Sequence, residues 1–192
     1  MFPSHDQRIY TKEDFNSGDG MLTSVWGPAI WHYLHTMSFN YPVNPTQKEK
    51  KHYRDFVLQL EHVLPCKYCR MNLKNNFKHL PLTMAIMKNR ETFSKYIYDL
   101  HEHINKMLGK KSGLTYEEVR ERYEHFRARC TIDPDEEKKI IDLLIHHNEK
   151  GCTEPLYGKK SKCIIKIVPQ DTKCKTFQVD KKCKKTRKRR RK

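Results

Sequence analysis

At 192 residues the chain has room for one ordinary domain and a sizeable appendage, and a second full catalytic domain would be a tight fit. It is polar, with 36% hydrophobic and 32% charged residues and a mean hydropathy of -0.91, yet ten Tyr, eight Phe and two Trp can close a core, which excludes wholesale disorder. The net charge of +16 is concentrated: residues 150–192 hold 17 Lys and Arg against 3 acids, a net of +14, whereas the other 149 residues net only +2.

No apolar run reaches the length of a membrane-spanning helix, and the first twenty residues lack the apolar stretch of a signal peptide, so neither signal is expected. Residues 1–20, polar and with Gly18 and Gly20 near their end, read as a flexible arm. A first helix is predicted from an N-cap at Thr23 or Ser24, with Pro28 in its first turn, to Asn40, where Tyr41-Pro42 stops it. Trp31, Leu34, His35 and Ser38 share its apolar face. A second helix starts near Pro45-Thr46, turns Tyr53, Phe56, Val57, Leu60, Val63 and Leu64 inward, and ends at Pro65. A third, shorter helix opens at Cys66 and runs past Leu73 to Phe77.

Glu91 to Leu108 forms the fourth, with Phe93, Tyr96, Ile97, Leu100, Ile104, Met107 and Leu108 on one stripe and Gly109 as its stop. Thr115 and Glu118 make a capping box for a short fifth helix extending toward Cys130. An additional helix is expected from about Pro134 to Lys150, within a segment 131–151. Beyond it, 152–192 reads as a basic, mostly irregular tail. Cys163–Val168 and Cys174–Val179 are weakly patterned as two short strands, and the run to Lys192 is expected to be solvated. The fold class is therefore all-α, with the bundle domain over residues 21–130.

Seven cysteines, an odd number in a chain with no export signal, do not read as a secreted disulfide scaffold. Cys66-Lys67-Tyr68-Cys69 is the chemically informative pair. At a helix start, residues i and i+3 lie on one face, close enough for a disulfide. The free N–H groups of that first turn, with Lys67 and Arg70, favour a thiolate, as thiol exchange requires. Zinc normally takes four ligands. No second Cys-x-x-Cys exists, and His62, His101, His103, His146 and His147 lack the customary spacing, so no metal is expected. A thioredoxin-like pair follows a strand, whereas this one sits between helices; inert buried cysteines are the other reading of the pair itself.

The surrounding motifs decide between these. Trp26-Gly27-Pro28-Ala29-Ile30-Trp31-His32-Tyr33-Leu34-His35, then Tyr41-Pro42, then Leu64-Pro65-Cys66-Lys67-Tyr68-Cys69-Arg70, then Leu100 through Lys110 with His101, His103 and Asn105, resemble the Erv/ALR family of FAD-linked sulfhydryl oxidases over roughly residues 22–130. The WGPxxW opening and compact Pro-Cys-x-x-Cys segment are most similar to members carried by large DNA viruses. The resemblance implies a four-helix bundle plus a short fifth helix that binds FAD, with Cys66 and Cys69 as the catalytic pair and Cys69 nearer the flavin. By the same resemblance Gly27, Trp31, His35, His101, Asn105, Lys110, Arg122 and Tyr123 are cofactor-binding positions. Their residue types suit a dinucleotide, since aromatic and imidazole faces stack on flat rings, Asn both donates and accepts, and Lys and Arg meet a pyrophosphate. No GxGxxG is present, so the site is not of Rossmann type.

Two departures stand out. Glu102 occupies a position where the family has Asn, and 71–129 has no cysteine for the disulfide that many relatives carry between the third and fourth helices. The resemblance further implies protein dithiol substrates, such as a thioredoxin-like or virion protein, O2 as acceptor, H2O2 as product and a homodimer. A viral member would act in host cytoplasm, viral factory or virion. Relatives often bear a shuttle pair on a mobile arm; here it must come from Cys152, Cys163, Cys174 or Cys183, the last three each preceded by a lysine that favours thiolate. The basic end also fits contact with nucleic acid or acidic surfaces. A non-enzymatic nucleic-acid-binding protein, or a zinc-stabilised binding module, is the competing function.

Overall fold

A computed structural model describes residues 10–129, together with 154–156, 159 and 181. Its helices are α1 (Lys12–Phe15), α2 (Thr23–Phe39), α3 (Gln47–Val63), α4 (Lys67–His79), α5 (Arg90–Met107) and α6 (Tyr116–Glu124), with a 3₁₀ turn at Ile86–Lys88 before α5. A two-residue antiparallel bridge pairs Ala128–Arg129 with Glu154–Pro155. The architecture is an all-α bundle. Among the described residues, no helix is long and apolar enough to cross a membrane.

Local chemistry sets most of the helix starts. Thr46 and Glu49 satisfy each other's backbone N–H groups at the start of α3, Asn89 and Thr92 do so at α5, and Thr115 and Glu118 at α6. At the other end of α5, Gly109 adopts φ +66°, which lets the Lys110 N–H return to the Asn105 carbonyl at 2.8 Å and closes the helix. α2 differs from its sequence-based expectation. Its N-cap is Leu22, without a side-chain cap, so Thr23 is already helical and Pro28 lies inside the helix with its ring exposed.

One core joins Leu34 and Tyr41, Val57 and Leu60, Leu73 and Phe77, Leu82 and Met87, and Phe93, Tyr96, Ile97 and Leu100. These come from α2, α3, α4, α5 and their connections, so the bundle closes through side-chain burial at about 1.5–3 kcal/mol for each large apolar group. Buried hydroxyls tie the connections down: Tyr41 donates to the Met87 carbonyl at 3.0 Å and Tyr96 to the Leu80 carbonyl at 2.8 Å. A smaller cluster of Phe39, Tyr116 and Val119 docks α6 on α2.

Four predicted core residues face outward. Phe56 and Val63 on α3, and Met107 and Leu108 at the end of α5, are exposed because no further element covers those stripes among the described residues. The arm carries one turn of helix at α1, capped by a Thr11–Asp14 box and exposed throughout. The predicted helix at 134–150, the two strands beyond it, Cys130 and the four tail cysteines lie outside the described residues.

Candidate redox site

Cys66 follows Pro65, which cannot extend α3, and sits in extended conformation (φ -151°, ψ 120°) as the N-cap of α4. Its sulfur takes the place of a capping oxygen: Cys69 N–H donates to Cys66 Sγ at 3.3 Å. The incoming loop is fixed from two sides. Arg70 donates to the Leu64 carbonyl, and the Met21 N–H donates to the Pro65 carbonyl at 2.7 Å. Trp26 Nε1 in turn holds the Met21 carbonyl at 3.0 Å. At Gly20 a Cβ would lie 2.8 Å from Pro65 O and 3.1 Å from Cys66 Cα, so only glycine allows the arm to pass this close to the pair.

The start of α2 meets the same point. Thr23 Oγ1 lies 3.7 Å from Cys69 Sγ, so two helix N-termini converge on the two thiols. Both thiols are free and partly exposed, but they are not equivalent. The hydrogen bond from the Cys69 side chain, helped by backbone N–H groups and Thr23, lowers the Cys66 pKa below the ordinary thiol value. Burial, then the neighbouring Cys66, raises that of Cys69. Cys66 is thus the better thiolate at neutral pH.

Farther along the same face of α2, at i+4 spacings from Thr23, come Gly27, Trp31 and His35. Thr23 and Trp31 are eight residues apart, about 12 Å along the axis. Trp31 stacks on His101 of α5, with ring centroids 4.0 Å apart and planes 5° from parallel. His35 Nε2 and His101 Nδ1 are hydrogen-bonded at 3.0 Å, and Tyr123 of α6 stacks on His35 at 5.3 Å. The structure therefore joins Trp31, His35, His101 and Tyr123 in one ring cluster. Burial pushes the His35 pKa down to about 3, with His101 and His32 adding to it, and that of His101 to about 4. Both imidazoles are neutral at physiological pH.

Asn105 is half-buried on α5 and donates to Glu102 Oε1 at 2.9 Å. The substituted acid thus orients the amide. Lys110 is exposed just past the end of α5, and Arg122 is half-buried beside Tyr123. Three site residues escaped the sequence reading. His32 Nδ1 lies 3.2 Å from the Tyr123 hydroxyl, Thr23 touches Cys69, and Gly20 backs the Pro65–Cys66 loop. In the sequence Thr23 stands out only as a cap candidate one turn before Gly27, His32 only within the Trp26–His35 motif and Gly20 only as part of the arm.

Two observations test whether a flat, polar-edged cofactor fits here. His35 Nδ1 is buried without a hydrogen-bond partner, an unmet polar atom inside the ring cluster. Gly27 is buried, yet a Cβ there would meet only Thr23 Cγ2 at 3.5 Å, so packing within the protein does not demand glycine. The strip between the thiols and the rings keeps room that a side chain would fill. The ring cluster supplies stacking faces, and Asn105, Lys110 and Arg122 supply an amide and cations, residue types that suit a dinucleotide flavin.

The Erv1 / Alr family model matches residues 28–124. A probable FAD-linked sulfhydryl oxidase of Acanthamoeba polyphaga mimivirus is 37% identical over 104 residues, covering 54% of this chain and 72% of its own length. A putative FAD-linked sulfhydryl oxidase of Invertebrate iridescent virus 6 is 32% identical over 90 residues, covering 45% of this chain and 81% of its own. The crystal structure of the yeast Erv1 core aligns with a TM-score of 0.50 at 22% identity, over 62% of this chain and 94% of that one, and speaks for the fold alone.

Proposed function

The chain belongs to the Erv1/Alr family, and from that membership we propose that it forms disulfides in protein substrates through Cys66 and Cys69, with O2 as the final acceptor. It is an FAD-linked sulfhydryl oxidase. The single observation that carries the finer reading is the asymmetry of the pair. One thiol is acidified at the start of α4, and the other is set against Thr23 at the head of the α2 face that leads to the ring cluster.

In the oxidised pair, a substrate thiolate attacks Cys66 Sγ, forms a mixed disulfide and releases Cys69 as the leaving thiolate. A second substrate thiolate then attacks the substrate sulfur of that mixed disulfide and expels Cys66. Two substrate thiols have become one disulfide, and the enzyme pair holds the electrons as two thiols. The lowered pKa of Cys66 suits a leaving group in this second step, and the first-turn N–H groups of α4 spread its charge. Thr23 receives the charge on Cys69 when it is the one released. Trp31, His35, His101 and Tyr123 would hold the flat parts of the cofactor beside Gly27, with Asn105, Lys110 and Arg122 for its polar edges and phosphates. Bound there, FAD would supply a two-electron acceptor for the reduced Cys66 and Cys69, with O2 as the terminal oxidant and H2O2 as the product. Cys152, Cys163, Cys174 and Cys183 are the proposed shuttle between substrate and Cys66.

The purified protein should be yellow and should consume oxygen with a dithiol. Cys69→Ser should abolish turnover while keeping the colour. A colourless protein that stays inactive after FAD is added overturns the assignment; in the same assay, undiminished oxidation of protein dithiols after all four tail cysteines are replaced by Ser removes the shuttle.

A further inference from the structure

α4 begins at the redox pair and carries Lys67, Arg70, Lys74 and Lys78 with no Asp or Glu among its 13 residues. At about 100° per residue these four fall on one stripe, with about 16 Å between the first and the last. Arg70 is turned back onto the Leu64 carbonyl, whereas Lys67, Lys74 and Lys78 are exposed and make no ion pair among the described residues.

The other charged helices of the bundle behave differently. α3, α5 and α6 mix both signs, and Lys51 of α3 and Lys95 of α5 each pair with an acid one turn away, Asp55 and Asp99. Glu61, the acid closest to α4 in sequence, is engaged with His62 at 3.1 Å. Like charges at i, i+4 destabilise a helix by a few tenths of a kcal/mol per pair, and Lys67 in the first turn also opposes the helix dipole. Lys78, in the last turn, does complement the dipole, but helix stability gives no reason for the rest of the stripe. Its position gives one, because it starts beside the acidified Cys66 and is flanked by exposed Tyr68 and Met71.

We propose that α4 is the docking face for the protein dithiol and that the segment it selects is acidic, with Asp or Glu residues flanking the cysteines. This rests on the redox reading of Cys66. Charge complementarity also discriminates against one available occupant. The basic tail, net +14 from residue 150 onward, is repelled by the stripe, so a tail shuttle must reach Cys66 from a side other than α4, and the α4 face favours a partner supplied in trans. The cationic surface further raises the local concentration of the attacking substrate thiolate.

The test uses the full-length, FAD-loaded protein and three reductants: dithiothreitol and two synthetic dithiol peptides of the same Cys-x-x-Cys sequence, one flanked by Glu and one by Lys. At low salt the Glu peptide should show a kcat/KM about tenfold above the Lys peptide, and the gap should close near 0.5 M NaCl, as expected for screened surface charges. Lys74→Glu with Lys78→Glu should erase or invert the preference while dithiothreitol turnover stays within about twofold, which also shows the variant to be folded. Equal rates for the two peptides, a preference for the Lys peptide, or a preference that survives the α4 charge reversal overturns the proposal. A rate for the Lys peptide that falls with salt would place a basic occupant on α4 and overturn it too. Failure of the wild-type protein to oxidise dithiothreitol would instead strike the redox reading itself.

Discussion

His35 and His101 are two neutral imidazoles bonded to each other inside the bundle, and they set an acid limit on it. An unfolded histidine titrates near 6.5, whereas burial holds these folded values at about 3 and about 4. The unfolded chain thus binds protons first as pH falls. The stabilisation from keeping both rings neutral is complete above about pH 6.5 and is lost progressively toward the folded values. Between pH 6.5 and 5, above the range of ordinary carboxylates, Tm should fall with pH, and His101→Gln should flatten that slope; an unchanged slope would place the acid sensitivity elsewhere. The residue types of this cluster were legible, because Trp31 and His35 share a helical face and His101 belongs to a motif-like segment. Their mutual stacking was not. It depends on how α2 crosses α5, and the same holds for Thr23 and Gly20, whose significance lies in neighbours 46 residues away in the chain or in a loop carbonyl.

At the scale of elements, helix starts with reciprocal caps were the most legible feature. Thr115 with Glu118 announced α6 because the signal lies within four residues. Asn89 was less visible. Its partner is Thr92, a weaker mark than Glu, and the 3₁₀ turn just before it has no signature of its own. Asn89 Oδ1 accepts from the Thr92 N–H at 2.9 Å, so Asn89→Ala should cost about 1 kcal/mol in a urea titration, with an unchanged m-value. Periodicity failed at the ends of stripes. Phe56, Val63, Met107 and Leu108 have the right spacing for a core, but spacing reports a face and not whether another element covers it.

For the whole molecule, two of those misassigned residues, Phe56 and Val63, gain a meaning. Leu22 at the head of α2, Val25 and Tyr33 on it, and Phe56 and Val63 on α3 are all exposed, and Tyr33 meets Phe56 edge-on at 5.9 Å, so exposed apolar side chains of the two helices adjoin there. A patch of this kind is a common mark of an interface, and a second copy of the chain is the expected partner. Sedimentation should give a homodimer for the wild type, and Phe56→Asp should shift it to the monomer; a wild-type monomer at assay concentrations would refute the pairing. The distribution of charge also reads differently at this scale. A nearly neutral bundle bears one cationic helix at its redox end, distinct from the cationic run at the chain's end.

The helix caps differ in strength across the bundle. α3, α5 and α6 begin with two reciprocal hydrogen bonds each, whereas α2 begins at Leu22 with none from a side chain, and α4 begins on a sulfur, a weak acceptor. The two starts with the least local support are the two that meet at the thiols. What fixes them is tertiary: the Met21 N–H on the Pro65 carbonyl, Arg70 on the Leu64 carbonyl and the close pass at Gly20. The first-turn N–H groups around the two sulfurs are thus left without a side-chain oxygen acceptor at either cap, and stay available to the charge of whichever sulfur is released.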